Sequence, residues 1–421
     1  MAARPGRDGR GPVIDISVPN LRIQSRRRPR PAETADLAPN LAPPPGNPRF
    51  PLFDGLRAIA ALSVFLGHTV TGTYSLVSHT NLFVLAVQVA DQGVAIFFLI
   101  SGFLLYRPFL AARVAGRQFS VCDFAVRRAL RIVPAYWVAL TLFIATGLVS
   151  GVTSSNWWIF YGFLQVYRFN TIGQGIGVAW TLCIEVTFYA ALPIFVLVAG
   201  RLGSRRTSVR ADCLMLLGLS IASLAFRAHY HSFADLADVS TLPGTFCWFA
   251  LGMALAAISV SRQDQPRGDS VLARLVRRRP TVCWALAAVL FGVEHRLLRV
   301  HQTVGVALTT HVLYGFVALL ILVPGVFDDT AGGLARSVLR LPALAWIGLI
   351  SYAFYLYHTI VIAEFNKLIT ARQLPARYLV VLVGSGVISC GCAAASYYLL
   401  ERPVMRLKRR HGGPSAAARG G

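Results

Sequence analysis

The chain has 421 residues, of which 55% are apolar and only 14% charged, against roughly 25% charged in soluble domains. The apolar residues fall into blocks long enough to cross lipid and leave no soluble block of similar size, which excludes the two or three soluble domains this length would otherwise suggest. The net charge of +23, from 41 Lys+Arg against 18 Asp+Glu, does not point to nucleic acid, because no basic segment sits in a foldable soluble module.

In chain order, residues 1–48 are rich in Arg, Pro and Gly and carry no apolar run. The missing h-region argues against a signal peptide, and the composition predicts a disordered basic tail. Ten apolar blocks follow, near 54–76, 81–107, 131–151, 178–200, 211–228, 243–260, 281–298, 304–326, 343–367 and 377–400. Each approaches the length of a membrane-crossing helix, so the fold class is all-α, a polytopic membrane helix bundle of about ten transmembrane helices. The seventh block is the weakest, cut short by Glu294, His295 and Arg296. Residues 156–168 are apolar but too short to span, and Trp157, Trp158, Tyr161 and Tyr167 there suit a membrane interface.

If the N-terminal tail lies inside, the alternating segments place 33 basic residues inside and 7 outside, with Arg57 in the first helix. Excess Lys and Arg marks the cytoplasmic side, so the split predicts an even helix number and cytoplasmic termini at the plasma membrane. The membrane domain then runs from 49 to 405, and 406–421 is a basic cytoplasmic tail. No CxxC or Cys/His ligand spacing occurs among the seven cysteines, so they are expected as small apolar helix residues and no metal site is expected.

Ionisable groups inside membrane helices are costly and need a reason. Outside the seventh block they are Asp54, Arg57, His68, Asp91, Glu185, His311, His358 and Glu364. Arg57 and His68 lie eleven residues apart on the first helix, roughly 16 Å along the axis and close to three turns, so they share a face. Either they serve chemistry, or Arg57 reaches to the headgroups and His68 is a packed core residue. Asp54 stands three residues before Arg57 and can pair with it. Counting from the block ends at about 1.5 Å per residue puts His68, Glu185, His311 and His358 within roughly 10 Å of the outer surface. That predicts one polar chamber shared by all four. Ser101 and Gly102, in FFLISGF, share the depth of Arg57; small residues there also suit close helix packing. Arg127, Arg128 and Arg131 enter the third block, where they suit phosphate groups or anchor the positive side.

These residues carry a resemblance. The strings FDGLRAIAALSVFLGH, VAIFFLISGFLLY, RRALRIVPAY, WTLCIEVTFY, ISYAFYLYH and SYYLLERP occur in the order and at the helix positions of the acyltransferase 3 family of membrane acyltransferases. The chain resembles that family over roughly residues 50–405. The resemblance implies about ten helices, a cytoplasmic N-terminus and O-acyl transfer to sugars, glycolipids or related hydroxyl compounds. The family's Arg-x10-His signature maps onto Arg57 and His68, its Arg-x-x-Arg element onto Arg128 and Arg131, and its acidic position onto Glu185. Where the family often has Ser in the string around Glu185, this chain has Thr181.

The function expected from these residues and the resemblance is transfer of an acyl group, acetyl by family analogy, from acyl-CoA to a hydroxyl of a sugar, glycolipid or glycosylated metabolite. Acyl-CoA is the donor and no bound cofactor is expected. Arg128 and Arg131 are expected to hold the CoA phosphates near Ser101, and Arg57 to guide the pantetheine arm or pair with Asp54. His68 is the expected general base, since imidazole exchanges protons near neutral pH, with Glu185 orienting its ring. Tyr352, Tyr355 and His358 are candidates to bind the acceptor or the developing oxyanion. Direct transfer and an acyl-His68 intermediate both fit. The alternative is a proton-coupled transporter, for which intramembrane His and Glu are also typical.

Overall fold

The computed structural model describes residues 50–73, 81–116, 119–168, 170–202, 208–230, 239–261, 279–301, 303–327, 333–371 and 377–411. The tail expected over 1–48, much of the basic segments 201–210 and 262–279, and residues 412–421 lie outside these. The described residues contain no strand. In order the helices are α1 (Phe53–Thr73), α2 (Asn81–Val114), α3 (Val121–Ala145), α4 (Trp157–Tyr161), α5 (Trp180–Leu202), α6 (Ser208–His229), α7 (Leu242–Ser261), α8 (Pro280–Leu297), α9 (Val304–Val326), α10 (Leu334–Leu339), α11 (Pro342–Ala371), α12 (Arg377–Ser396) and α13 (Arg402–His411).

Among the described residues, nine helices are long and apolar enough to cross a membrane: α1, α2, α3, α5, α6, α7, α9, α11, and α12 with its continuation to Arg406. The seventh block forms α8, whose last turn carries His295 and Arg296 just after Glu294, and it is not among the nine. At 18 residues it is about 27 Å long, against roughly 30 Å of hydrocarbon. The chain is thus an all-α, multi-pass membrane protein. Large apolar side chains face outward as lipid demands: Ile194 and Leu197 on α5, Leu214, Leu217 and Ile221 on α6, and Leu379, Val383 and Val387 on α12 are all exposed.

The core is built around α1, which packs against α2 on one side and α11 on the other, while α2 also packs against α7. Bare backbone makes the second crossing possible. An added Cβ at Gly102 would collide with the Phe249 carbonyl, and one at Gly252 with the backbone of Leu99 and Phe103, so the two glycines let α2 and α7 touch along their main chains. Toward the other side, α2 is tied to α6 by Asp212, fully buried, which accepts from the Tyr106 hydroxyl and the Arg113 guanidinium.

Several boundaries differ from those expected. The third block begins ten residues early, because Ser120 caps α3 by accepting from Asp123 N at 3.1 Å. Arg127, Arg128 and Arg131 therefore sit within α3 rather than at its mouth. The last crossing helix passes through a π-helical turn, Tyr397–Glu401, into α13, so residues expected as tail continue helical to His411. Residues 156–168 hold the short α4, with Trp157, Trp158 and Tyr167 exposed, in keeping with an interfacial segment.

Candidate active site

Helical periodicity assembles one wall after another of a small cavity of about 90 Å³. From α2 come Val94, Phe97, Phe98, Ser101, Leu104 and Leu105, spaced so that they share one face. From α3 come Arg128, Arg131 and Ile132, from α5 Thr181, Leu182, Glu185 and Tyr189, and from α11 Ser351, Tyr352 and Tyr355. Arg57 of α1 closes it. Arg127, one position off this face, is exposed and lies outside the cavity. Gly102 packs helices while its neighbour Ser101 lines the cavity, so the two small residues divide the roles the sequence left open.

Charge and hydrogen bonding in this cavity are asymmetric. Both Glu185 oxygens are held by hydroxyl donors, Ser101 Oγ at 2.6 Å and Tyr189 OH at 3.0 Å. The Arg57 guanidinium donates to Asp54 Oδ1 at 2.8 Å. Arg128 lies over the Phe124 ring, 5.9 Å from its centroid, and its buried Nε has no hydrogen-bond partner among the described residues. The three guanidinium groups are within electrostatic reach of one another. Such like charges stay together at lower cost when an anion joins them. Glu401, in the π-helical turn, interacts with Arg131; the sequence shows it only as part of SYYLLERP.

His68 occupies a second place. Its Nδ1 is 2.9 Å from His358 Nε2, with the two rings inclined at 24° and their centroids 5.2 Å apart. His68 also lines a cleft of about 580 Å³ together with Gly173, Gly175, Gly177, Trp180, Ser240 and Thr359. Among the described residues no charged side chain lines this cleft. Positive φ angles at Gly173 (81°) and Gly175 (63°), a conformation that favours glycine, turn the chain sharply before α5. Tyr355 stands between the two spaces. Its ring lines the arginine cavity and packs 5.5 Å from the His358 ring, and its hydroxyl meets Thr181 Oγ1 at 2.9 Å and Val178 O at 3.1 Å.

The expected single chamber is therefore resolved into three places. His68 and His358 meet, in keeping with their matched expected depths. Glu185 belongs instead with Arg57 and Ser101, and it does not orient the His68 ring. Its place differs from the expected one because α5 begins inside the bundle: the turn before it, Gly177–Ala179, is buried at Val178 and Ala179. His311 is elsewhere again, with Nε2 3.1 Å from Cys247 Sγ and its ring stacked on Trp248 at 4.3 Å. His358 is 1% exposed and lines neither space, so it cannot hold an acceptor directly. The hydroxyls of Tyr352 and Tyr355 are also engaged, that of Tyr352 donating to Ile132 O at 2.7 Å, which leaves these residues their rings to offer. Of the other residues lining the cleft, Trp180 opens the string WTLCIEVTFY, the glycine turn lies in GQGIG just before it, and Ser240 carries no sequence signal. Among the described residues no three His, Cys, Asp or Glu side chains gather as a metal site needs.

An arginine-lined cavity and a separate cleft holding His68, both within one helix bundle, define a class of polytopic membrane protein with two distinct polar spaces. Comparison with known proteins gives that class its family. The acyltransferase 3 family, described as an acyltransferase domain, matches residues 51–397. The chain belongs to that family and is an acyltransferase moving groups other than aminoacyl groups. Nodulation protein 10 of Rhizobium leguminosarum bv. viciae is 28% identical over 382 residues, 85% of this chain and 93% of the relative. The putative peptidoglycan O-acetyltransferase YrhL of Bacillus subtilis (strain 168) is 26% identical over 376 residues, covering 84% of this chain, which spans 54% of that relative. Exopolysaccharide production protein ExoZ of Rhizobium meliloti (strain 1021) is 27% identical over 334 residues, 76% of this chain and 91% of the relative. No solved structure matches the chain.

Proposed function

We propose that this protein transfers an acyl group, acetyl by default, from acyl-CoA to a hydroxyl of a sugar unit in a polysaccharide, glycolipid or glycosylated metabolite. The observation that carries the reading is the pairing of two unlike spaces on either side of Tyr355. One holds three arginines and fits the phosphates of a CoA thioester. The other has no charged wall among the described residues, has Trp180 and two hydroxyl side chains there, and contains His68, which fits a neutral sugar presenting a hydroxyl to a base. The names of the Bacillus and Rhizobium meliloti relatives agree with a saccharide acceptor.

In this reading Arg128, Arg131 and Arg57 hold the donor, with Ser101 and Glu185 fixing the arginine cavity's acidic wall. The thioester passes beside Tyr355 to His68. His68 Nε2 removes the proton of the acceptor hydroxyl as its oxygen attacks the thioester carbonyl. The 33 to 7 division of basic residues favours a plasma-membrane orientation with cytoplasmic termini, so the donor arrives from the cytoplasm and the acceptor from the far side.

The test is transfer from labelled acetyl-CoA into envelope saccharide by membranes carrying the wild-type chain or His68→Ala. The wild type is expected to label saccharide and the variant, present in the membrane at equal level, is not. Equal labelling by both would remove His68 from the chemistry.

A further inference from the structure

We infer that His358 is a positioning residue that fixes which nitrogen of His68 carries the proton, and thereby leaves His68 Nε2 bare toward the cleft. The deduction runs along a chain of three hydrogen bonds. His358 Nδ1 is 2.8 Å from the Tyr355 carbonyl oxygen and 3.3 Å from that of Phe354. Carbonyl oxygens only accept, so Nδ1 is the nitrogen with the hydrogen. A neutral imidazole has one N–H, so His358 Nε2 is a lone pair. That lone pair lies 2.9 Å from His68 Nδ1, which must therefore donate. His68 is then the Nδ1–H tautomer and its Nε2 is the basic nitrogen.

The opposite arrangement requires His358 to donate from both nitrogens. That would bury an unpaired positive charge in a ring 1% exposed and packed against Phe65, Phe354 and Tyr355, at the cost such a charge carries. The surroundings thus select the neutral ring, and the backbone of α11 selects its tautomer. In a serine hydrolase the histidine tautomer is held by a carboxylate. Here a second, neutral imidazole does that work, and Glu185, engaged by Ser101 and Tyr189, is free of it.

The inference rests on the proposed role of His68 as base. In that step the acceptor oxygen forms a C–O bond to the thioester carbon, its proton passes to His68 Nε2, and the C–S bond breaks. The Nδ1 hydrogen stays shared with His358 throughout. The proton on Nε2 then goes to the departing CoA thiolate, giving the free thiol and restoring the starting tautomer.

Two substitutions separate this from a packing role. His358→Leu removes the acceptor. His358→Gln places an amide oxygen where Nε2 stood and keeps it. With labelled acetyl-CoA as donor and the envelope saccharide of native membranes as acceptor, His358→Leu is expected to lower kcat by roughly 10²–10⁴-fold, the scale of a misplaced base, at unchanged KM for acetyl-CoA. His358→Gln is expected to stay within about tenfold of wild type. Wild-type kcat in His358→Leu, or equal losses in both variants, overturns the inference. A readout independent of activity is ¹⁵N NMR of histidine-labelled protein, with signals among its nine histidines assigned by His68→Ala and His358→Gln. It should show His68 protonated at Nδ1; protonation at Nε2 refutes the inference even if His358→Leu fails to fold. Full transfer by His68→Ala would instead refute the base itself, leaving the NMR result to decide the tautomer.

Discussion

Removing Arg128 or Arg131 should weaken donor binding without slowing the chemistry. Both line the α3 wall of the arginine cavity together with Arg57, whose level is roughly 16 Å along α1 from that of His68, so neither reaches the reacting carbon. Each guanidinium on a phosphate makes charge-assisted hydrogen bonds worth about 1.5–3 kcal/mol, and in a half-buried site salt screens them little. Arg128→Ala and Arg131→Ala are therefore expected to raise KM for acetyl-CoA by about 10–150-fold each, with kcat within a few-fold of wild type. The assay is initial-rate release of CoA thiol by native membranes over a range of acetyl-CoA concentrations. S-acetylpantetheine, which has the thioester but no phosphates, supplies the control. Its KM should start high and barely respond to either substitution. The reasoning is refuted if both donors lose equally, or if kcat falls at constant KM.

Other consequences follow from the same geometry. Trp180→Ala should raise KM for the saccharide acceptor up to about tenfold, the worth of one aromatic contact, and leave KM for acetyl-CoA alone; kinetics with isolated envelope saccharide decide it. Gly252→Val should destabilise the α2–α7 crossing by about 1–3 kcal/mol or more, since its side chain meets the main chain of Leu99 and Phe103 rather than yielding side chains; thermal unfolding in detergent measures it. Asp212→Ala should cost about 3–5 kcal/mol, because it strands Arg113 and the Tyr106 hydroxyl, whereas exposed Glu364→Ala, breaking the Lys367 pair, should cost no more than about 1 kcal/mol.

The helices were legible because each must bury its own backbone polar groups in lipid, which leaves long apolar runs in any sequence. Within a helix, spacing also told the truth: Arg57 and Asp54 pair, and Arg128 and Arg131 share a face. Between helices it told less. Counting residues gives a height in the membrane but no compass direction, so the expected height of His311 does not reveal that it packs on Cys247 and Trp248. Height counted from a block's end also shifts with the helix's true start: α5 follows the buried Gly177–Ala179 turn, and Glu185 lies in the arginine cavity. The His68–His358 contact joins residues 290 apart, and only packing of α1 against α11 makes it. The glycine turn before Trp180 leaves only the string GQGIG in the sequence, because its contribution is backbone conformation rather than a reactive side chain.

The central claim is that an arginine-held acyl-CoA and a sugar hydroxyl meet at His68. The most direct measurement uses purified protein in sealed lipid vesicles, with labelled acetyl-CoA and isolated envelope saccharide, and follows label entering saccharide by mass spectrometry. The account predicts ester-linked label with the wild-type chain and none with His68→Ala at equal protein. Label that appears equally with both, or saccharide that stays unlabelled while acetyl-CoA and saccharide are both bound, would contradict it.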